Sequence, residues 1–122
     1  KEDIQECLNY DLAVLASEVK DPSKFGVFLL ENGFIKDVIE KPKKFISNLV
    51  NTALYVYDKS IFDEIAKLEK SERGEYELTD ALLSLAKKTK VKCVKVSKLW
   101  FPINRQEEIT NGKKLLAKFL KV

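Results

Sequence analysis

The hydrophobic pattern of the first half of the chain predicts strands. An apolar run at residues 12–17 is typical of a buried strand. Residues 25–31 and 34–40 flank Asn32-Gly33, the strongest signal for a two-residue hairpin, because both residues tolerate a positive φ. Residues 51–57 are rich in β-branched and aromatic side chains, which favours another strand. The first half is therefore predicted to be β-rich and to contain a hairpin.

The second half of the chain predicts helices around one more strand. Ser60 and Thr79 are each expected to be the N-cap of a helix, because apolar side chains follow both at helical spacing. Asn104, followed by Glu107, resembles the capping pair of a terminal helix. Residues 91–96 alternate apolar side chains with lysines, as a strand does.

The order of these elements predicts a mixed α/β fold. A hairpin pairs its strands antiparallel, so the sheet cannot be purely parallel. A chain that starts within a fold is also expected to leave one sheet edge exposed, and such an edge invites pairing with another chain.

Composition excludes several classes of protein. The 122 residues allow one domain with a modest core, and a hydrophobic content of 45% is ordinary for a globular protein. The 22 basic and 19 acidic residues are interspersed and leave a net charge of +3, which argues against a nucleic-acid partner. No apolar run approaches the ~20 residues that a membrane-spanning helix needs, and no signal peptide is evident.

The use of Cys, His and Met indicates the cellular compartment of the protein. Cys7 and Cys93 lie far apart and the chain has no His, so a zinc site is not expected. Buried free thiols in a reducing compartment fit better, which predicts a cytoplasmic protein. High Lys and Glu content without His or Met fits a thermophile. Because the chain contains no Met, Lys1 is expected to be a truncation point.

Three short motifs carry the candidate chemistry. They are Glu40-Lys41-Pro42, residues 47–52 (Ser-Asn-Leu-Val-Asn-Thr) and residues 73–80 (Arg-Gly-Glu-Tyr-Glu-Leu-Thr-Asp). In this order and spacing they resemble the second half of the sugar nucleotidyltransferases, also called NDP-sugar pyrophosphorylases. The resemblance runs from Leu12 to Leu120.

The resemblance implies an enzyme that transfers a nucleotidyl group. Members of that family join a nucleoside triphosphate to a sugar 1-phosphate and release pyrophosphate with the help of Mg²⁺. The partners expected from it are a sugar 1-phosphate and UTP or dTTP, with a homo-oligomer as a further possibility. It also implies that the parent core is a three-layer, Rossmann-like α/β fold.

The Gly-rich phosphate loop of that family is not found in the chain. Its glycines, Gly26, Gly33, Gly74 and Gly112, are isolated and cannot build a phosphate-cradling loop. Residues 1–122 are therefore expected to form one partial domain, the C-terminal half that binds the sugar 1-phosphate. The nucleotide-binding half is expected to be absent, and this chain alone to be inactive.

The first motif supplies two candidate residues. The resemblance implies that Glu40 accepts hydrogen bonds from the sugar hydroxyls and that Lys41 is a catalytic contact of the sugar phosphate. Pro42 biases Lys41 toward an extended backbone, which would aim its side chain. Without the resemblance, Glu40 and Lys41 would be ordinary charges at the end of a surface strand.

Other segments of the chain supply the remaining substrate contacts that the resemblance implies. They are Gly26, through close approach of its backbone, and Asn51, Thr52, Tyr55 and Glu75 for the sugar. Arg73 is expected to share the phosphate with Lys41, because a guanidinium binds phosphate bidentately. Ala53 departs from the family pattern, which usually has Gly at this position.

Asn104 is the candidate metal ligand. Many members of the family have an Asp ligand where this chain has Pro102, whose side chain cannot bind a metal. A related branch, the UDP-N-acetylglucosamine pyrophosphorylases, has an Asn just before the last helix, and Ile103-Asn104 resembles that version. An amide oxygen is an acceptable ligand for Mg²⁺. A plain helix N-cap is the alternative role for Asn104.

Two rival functions stay open on the sequence. A non-catalytic relative that binds a sugar phosphate or a partner chain would explain Pro102 and the missing half. An unrelated small α/β interaction domain is the other alternative.

Overall fold

The computed structural model describes residues 1–121, and its elements largely follow the predicted order. The predicted strands and the three predicted helices are present, and one short helix near the N-terminus was not predicted. The elements are α1 (Glu2–Cys7), β1 (Ala13–Glu18), β2 (Gly26–Glu31), β3 (Phe34–Glu40), β4 (Leu49–Val56), α2 (Ser60–Ala66), α3 (Leu78–Lys88), β5 (Lys92–Lys95) and α4 (Gln106–Leu120).

The five strands form one mixed sheet that closes on itself in the order β1-β4-β2-β3-β5. Within residues 1–121 the β1–β5 pair is the one parallel pair, which confirms the mixed sheet. The three-layer, Rossmann-like core is not confirmed, because the described sheet does not stay open. The expectation of an exposed sheet edge is wrong, because β5 pairs with β1 on one side and meets β3 at Phe34 and Lys92 on the other.

The predicted hairpin joins β2 and β3. Asn32 and Gly33 both have positive φ, 53° and 81°, as a tight turn between right-twisted strands requires. The strands pair from Glu31 and Phe34 at the turn to Gly26 and Glu40 at the open end. The hairpin therefore fixes Glu40 opposite Gly26.

Strand β1 separates two layers of apolar side chains. Val14 and Ala16 belong to the main core, which contains Phe28 and Leu82 and lies under α2 and α3. Ala13 and Leu15 point to the other face, where they join Cys7 and Val94 in a smaller cluster; Cys7 lies on α1. Because side chains alternate along a strand, a continuous apolar run is buried on both faces, as predicted for residues 12–17.

Both cysteines are free and buried, as expected. Burial raises the pKa of the Cys93 thiol to about 12. Among the described helices, none combines the length and the apolar character that crossing a membrane requires.

Each of the three predicted helix starts is wrong by a residue or more. Helix α2 begins at Ser60, whose backbone N–H donates to Asp58 Oδ1 at 2.8 Å. Helix α3 begins before Thr79, which lies in its first turn with a buried side chain. At the start of α4 the carboxylate of Glu108 accepts a hydrogen bond from the backbone N–H of Arg105 at 2.9 Å. The carboxylate at the start of α4 is therefore Glu108, three residues beyond Arg105, and not Glu107.

A buried carboxylate joins α2 to α3. The Glu64 side chain is 6% exposed and accepts hydrogen bonds from Ser84 and Lys88, while Lys67 Nζ lies 3.7 Å away. The Lys88 ammonium and the Ser84 hydroxyl hold the pKa of Glu64 well below its usual range, at about 2. The ionised form is therefore the form that the fold stabilises.

Glu64→Gln should remove part of the acid sensitivity of the fold. A carboxyl whose pKa falls from 4.5 to about 2 on folding contributes stability above pH 4.5 that is lost as the pH falls toward 2. Thermal melts across that window should show a flatter acid limb for Glu64→Gln than for the unmodified chain. The control is Glu31→Gln, since Glu31 is 65% exposed and its ion pair with Lys36 contributes little. Equal acid limbs for Glu64→Gln and the unmodified chain would contradict this role.

Candidate active site

A polar cleft of about 550 Å³ opens where the start of β2, the end of β3 and the middle of β4 face the loop before α4. Its walls combine strand ends with that loop. They consist of Lys24, Phe25, Gly26, Glu40, Lys41, Asn51, Thr52, Ala53 and Trp100 to Asn104. Six of the predicted site residues, Gly26, Glu40, Lys41, Asn51, Thr52 and Asn104, therefore lie on one cleft.

Gly26 lies close against the Glu40 carboxylate. A Cβ at Gly26 would lie 2.9 Å from Oε2 of Glu40 and 3.6 Å from Cβ of Asn51. Contacts under about 3 Å force a neighbour to move, so any side chain at this position would displace the Glu40 carboxylate. The absence of a side chain at Gly26 thus lets the Glu40 carboxylate keep its present position.

Glu40 is a partly buried carboxylate on the cleft wall. Its side chain is 26% exposed. Burial is the main reason that the pKa of Glu40 lies above its usual range, and the nearby Glu77 carboxylate raises it further. Lys41 and Arg73 act in the opposite direction. A partly desolvated carboxylate of this kind is well suited to accept hydrogen bonds from hydroxyl groups.

Lys41 does not have the extended backbone predicted from Pro42. Its φ is +44°, in the left-handed region, and its N–H donates to the carbonyl of Phe25 at 3.0 Å. This hydrogen bond ties the end of β3 to the residue before β2, and the tertiary contact overrides the local preference. Lys41 nevertheless lines the cleft beside Glu40.

Asn51 is held in place by its neighbours on β4. Its Nδ2 donates to the Tyr55 hydroxyl at 2.5 Å, and its Oδ1 accepts from the Ala53 N–H at 2.9 Å. Tyr55 does not line the cleft and stacks on Tyr57, with ring centroids 5.2 Å apart. Thr52 donates its hydroxyl to the Leu15 carbonyl at 2.7 Å. Tyr55 therefore acts on the cleft through Asn51.

Ala53 sits in a bulge of β4. The pairing with β1 jumps from Leu15 opposite Leu54 to Ala16 opposite Asn51, which leaves Thr52 and Ala53 as extra residues. Ala53 has a φ of +62°, which costs a residue with a Cβ about 1–2 kcal/mol. The strained position explains why glycine is usual here in the family that the sequence resembles.

Ala53→Gly should stabilise the fold. Glycine relieves the left-handed strain but adds flexibility to the unfolded chain, so the net gain in unfolding free energy should be about 0.5–1 kcal/mol. Chemical denaturation measures it. Ala86→Gly in α3 is the matched control and should destabilise by about 1 kcal/mol, because its backbone is helical. A loss of stability in Ala53→Gly would contradict the strain.

Arg73 and Glu75 lie behind the cleft wall. The guanidinium of Arg73 contacts Glu77 and Glu75 at 3.2 Å each and Glu40 at 3.8 Å. The side chain of Glu75 is 61% exposed. The structure therefore links Arg73 to the cleft through Glu40, while its shared contact with a phosphate stays a prediction.

Asn104 and Pro102 both lie on the cleft, opposite the strand ends. Helix α4 begins after Arg105, so the N-cap role proposed as the alternative for Asn104 is wrong. Within residues 1–121 there is no group of three His, Cys, Asp or Glu side chains that could hold a metal ion. A Mg²⁺ ion takes six oxygen ligands, so Asn104 could supply one ligand of a site completed by other groups.

Lys24 and Trp100 are among the wall residues that were not predicted as site residues. Trp100 packs edge-on against Phe25, with ring centroids 5.9 Å apart. Lys24 adds a second ammonium to the same cleft as Lys41. Both lie in segments that resemble the family, residues 21–27 and 100–104, but the resemblance gave a role there to Gly26 and Asn104 and not to Lys24 or Trp100.

Comparison with known proteins identifies the family. The profile of the family described as "Nucleotidyl transferase" matches residues 2–114. The chain belongs to the nucleotidyl transferase family. This confirms the resemblance that the three motifs indicated.

Curated relatives of this nucleotidyl transferase chain are much longer than the chain. "Bifunctional protein GlmU" of Methanocaldococcus jannaschii is 44% identical over 118 residues, which are 95% of this chain and 29% of that protein. "Bifunctional sugar-1-phosphate nucleotidylyltransferase/acetyltransferase" of Sulfurisphaera tokodaii is 36% identical over 103 residues, or 84% of this chain and 26% of that protein. The chain thus spans less than a third of these relatives.

Solved structures show the same fold. A Bacillus anthracis protein described as a glucose-1-phosphate thymidylyltransferase, in complex with a sucrose, is 31% identical, with a TM-score of 0.77 over 92% of this chain and 46% of that chain. A UDP-glucose pyrophosphorylase complexed with UDP-glucose is 31% identical, with a TM-score of 0.61 over 69% of this chain and 35% of that chain. The fold of the nucleotidyl transferase family is therefore present.

Proposed function

We propose that this chain forms the sugar-1-phosphate side of a nucleotidyltransferase active site. The convergence of Gly26, Glu40, Lys41 and Asn51 on one polar cleft carries the proposal, because those residues come from three separate segments of the chain. In the reaction, a phosphate oxygen of the sugar 1-phosphate forms a bond to the α-phosphorus of a nucleoside triphosphate. The bond from the α-phosphorus to the bridging oxygen breaks, and pyrophosphate leaves.

Each cleft residue has a role in this proposal. The Glu40 carboxylate and the Asn51 side chain bind sugar hydroxyls, and the backbone at Gly26 and Thr52 forms the floor. The Lys41 ammonium binds the sugar phosphate and balances the negative charge that develops during transfer. Tyr55 orients Asn51, to which it is hydrogen-bonded at 2.5 Å. Glu75 bonds with Arg73 near the cleft.

The finer assignments belong to the same proposal. Mg²⁺ would neutralise phosphate charge, with the Asn104 side chain as one of its ligands. UTP or dTTP and an N-acetylhexosamine or hexose 1-phosphate are the expected substrates. The Asn side chains at positions 51 and 104, which both line the cleft, support the amide-bearing sugar and UTP. The unpaired buried thiols support a reducing, cytoplasmic setting.

A second candidate is a non-catalytic relative that binds a sugar phosphate. The observation that favours it is Pro102, which lies on the cleft where many members of the family have an Asp ligand. This relative would use the same cleft and the same Lys41, but would not depend on Mg²⁺ or release pyrophosphate.

This chain alone should release no pyrophosphate. The physical reason is that the cleft offers cations for one phosphate group but no Gly-rich loop for a triphosphate. The assay combines the chain with UTP or dTTP, Mg²⁺ and a panel of sugar 1-phosphates. Measurable turnover by the chain would contradict the assignment to one half of a site.

A chimera of this chain with a full-length relative tests for nucleotidyl transfer. Residues 1–122 would replace the matching segment of the Sulfurisphaera tokodaii relative, whose described activity is sugar-1-phosphate nucleotidylyl transfer. The chimera should release pyrophosphate with at least one sugar 1-phosphate. A folded chimera that binds a sugar phosphate but releases no pyrophosphate would favour the non-catalytic relative.

A further inference from the structure

Arg73, in the loop between α2 and α3, contacts three carboxylates, two from its own loop and one from the end of β3. The N–H of Gly74 donates to the Ser71 carbonyl and the N–H of Ser71 donates to the Glu75 carbonyl, each at 2.8 Å. Gly74 has a φ of +75°, which this tight turn requires and which favours glycine. The closed turn presents Arg73 toward the end of β3.

The same nitrogen of Arg73 lies between Glu40 and Glu77. Nη1 is 3.2 Å from an oxygen of Glu77 and 3.8 Å from an oxygen of Glu40. Glu77 is 15% exposed and Glu40 is 26% exposed, so both carboxylates are partly withdrawn from water. Two like charges so placed repel each other strongly unless a cation lies between them.

We infer that Arg73 is a positioning residue for Glu40: with Glu77 as its anchor, it keeps Glu40 ionised and turned into the cleft, and it does not itself bind the sugar phosphate. The guanidinium donates hydrogen bonds to Glu77 and Glu75 and lies 3.8 Å from Glu40, so a phosphate would have to compete with these carboxylates for it. The inference rests on the proposed function, in which the Glu40 carboxylate binds sugar hydroxyls. It replaces the direct phosphate contact that the sequence predicts for Arg73.

The electrostatics of Glu40 agree with this arrangement. Burial raises the pKa of Glu40 and Glu77 raises it further, while Lys41 and Arg73 lower it. The charged and titratable groups that face Glu40 are Lys41 on the end of β3, Arg73 and Glu77 in the loop, Asp80 on α3 and Tyr55 on β4. Of the two cations, Arg73 is the one that also neutralises Glu77.

The test is a titration of the Glu40 carboxyl carbon by NMR in this chain and in four variants. Arg73→Gln should raise the pKa of Glu40, and Glu77→Gln should lower it. The double variant Arg73→Gln/Glu77→Gln should return it toward the original value, and Arg73→Lys should nearly preserve it. Lys36→Gln is the matched control, because it removes a cation from a 3.2 Å ion pair at the distant hairpin. An unchanged Glu40 pKa in folded Arg73→Gln would overturn the inference.

Binding of glucose 1-phosphate, compared with the unmodified chain at each pH, is the second measurement. Below the raised pKa, Arg73→Gln should bind more weakly by about tenfold for each unit of the shift, and it should recover as Glu40 ionises at higher pH. The double variant should bind like the unmodified chain. If Arg73 bound the phosphate directly, the affinity lost in Arg73→Gln would stay lost at high pH, and adding Glu77→Gln would not restore it. That result would overturn the inference. If the unmodified chain binds no sugar phosphate, the proposed function fails while the Glu40 titration still decides the role of Arg73.

Discussion

Lys41→Ala in the active chimera is expected to lower kcat/KM for pyrophosphate release by about 30-fold to 1000-fold. This corresponds to about 2–4 kcal/mol of transition-state stabilisation, the range for removal of one preorganised electrostatic group. Lys41 lies on the cleft beside Glu40, and the proposed function assigns the sugar phosphate to its ammonium. Steady-state kinetics with a saturating nucleotide measure the loss.

Two variants control for effects other than the lost charge. Lys43→Ala removes an exposed lysine two residues away, outside the cleft wall, and should leave kcat/KM nearly unchanged. Lys41→Gly removes the ammonium but relieves the left-handed backbone, whose φ is +44°. It should therefore be as inactive as Lys41→Ala and at least as stable. Equal losses for Lys41→Ala and Lys43→Ala would refute the phosphate role of Lys41.

Asn104→Ala in the same chimera should raise the Mg²⁺ concentration needed for half-maximal activity. A hard cation that loses one oxygen ligand binds more weakly, and replacement of that ligand by a carboxylate binds it more tightly. Asn104→Asp should therefore shift the Mg²⁺ titration in the opposite direction. Because Glu108 accepts the backbone N–H bonds at the start of α4, both variants should keep the melting temperature.

The matched control for the metal is Asn111→Ala, since Asn111 is an exposed amide on α4 outside the cleft wall. Its Mg²⁺ titration should superimpose on that of the unmodified chimera. If both Asn104 variants also superimpose on it, the metal is held by other residues, or the chain is the non-catalytic relative that Pro102 suggests.

Local sequence patterns predicted most of the helices and strands, but not the closure of the sheet on itself. The Asn32-Gly33 hairpin and the buried strand at 12–17 follow from turn chemistry and from apolar runs, which are local properties. The pairing of β5 with both β1 and β3 joins residues far apart in the chain, so periodicity gives no sign of it. The helix starts were misplaced because the side chains that bond there, Asp58 and Glu108, differ from the expected caps.

The residues of the cleft were predictable in part, because several of them belong to short local sequence patterns. The family resemblance supplied Gly26, Glu40, Lys41, Asn51 and Asn104, and the fold brings these residues together. The motifs could not show that Tyr55 and Arg73 stand behind the wall, because that depends on bonds to Asn51 and Glu40. The left-handed backbone of Lys41 likewise depends on its bond to the carbonyl of Phe25.

Chemical-shift mapping of the chain with glucose 1-phosphate and N-acetylglucosamine 1-phosphate tests the central claim most directly. The backbone amides of Gly26, Lys41 and Asn51 should shift together as either ligand is added, because they line one cleft. The corresponding free sugars, which lack the phosphate, should cause smaller shifts. A saturable pattern at these three amides that is lost in Lys41→Ala is the result that we predict. Shifts confined to other surfaces, or none at millimolar ligand, would contradict the assignment of the sugar-1-phosphate side to this chain.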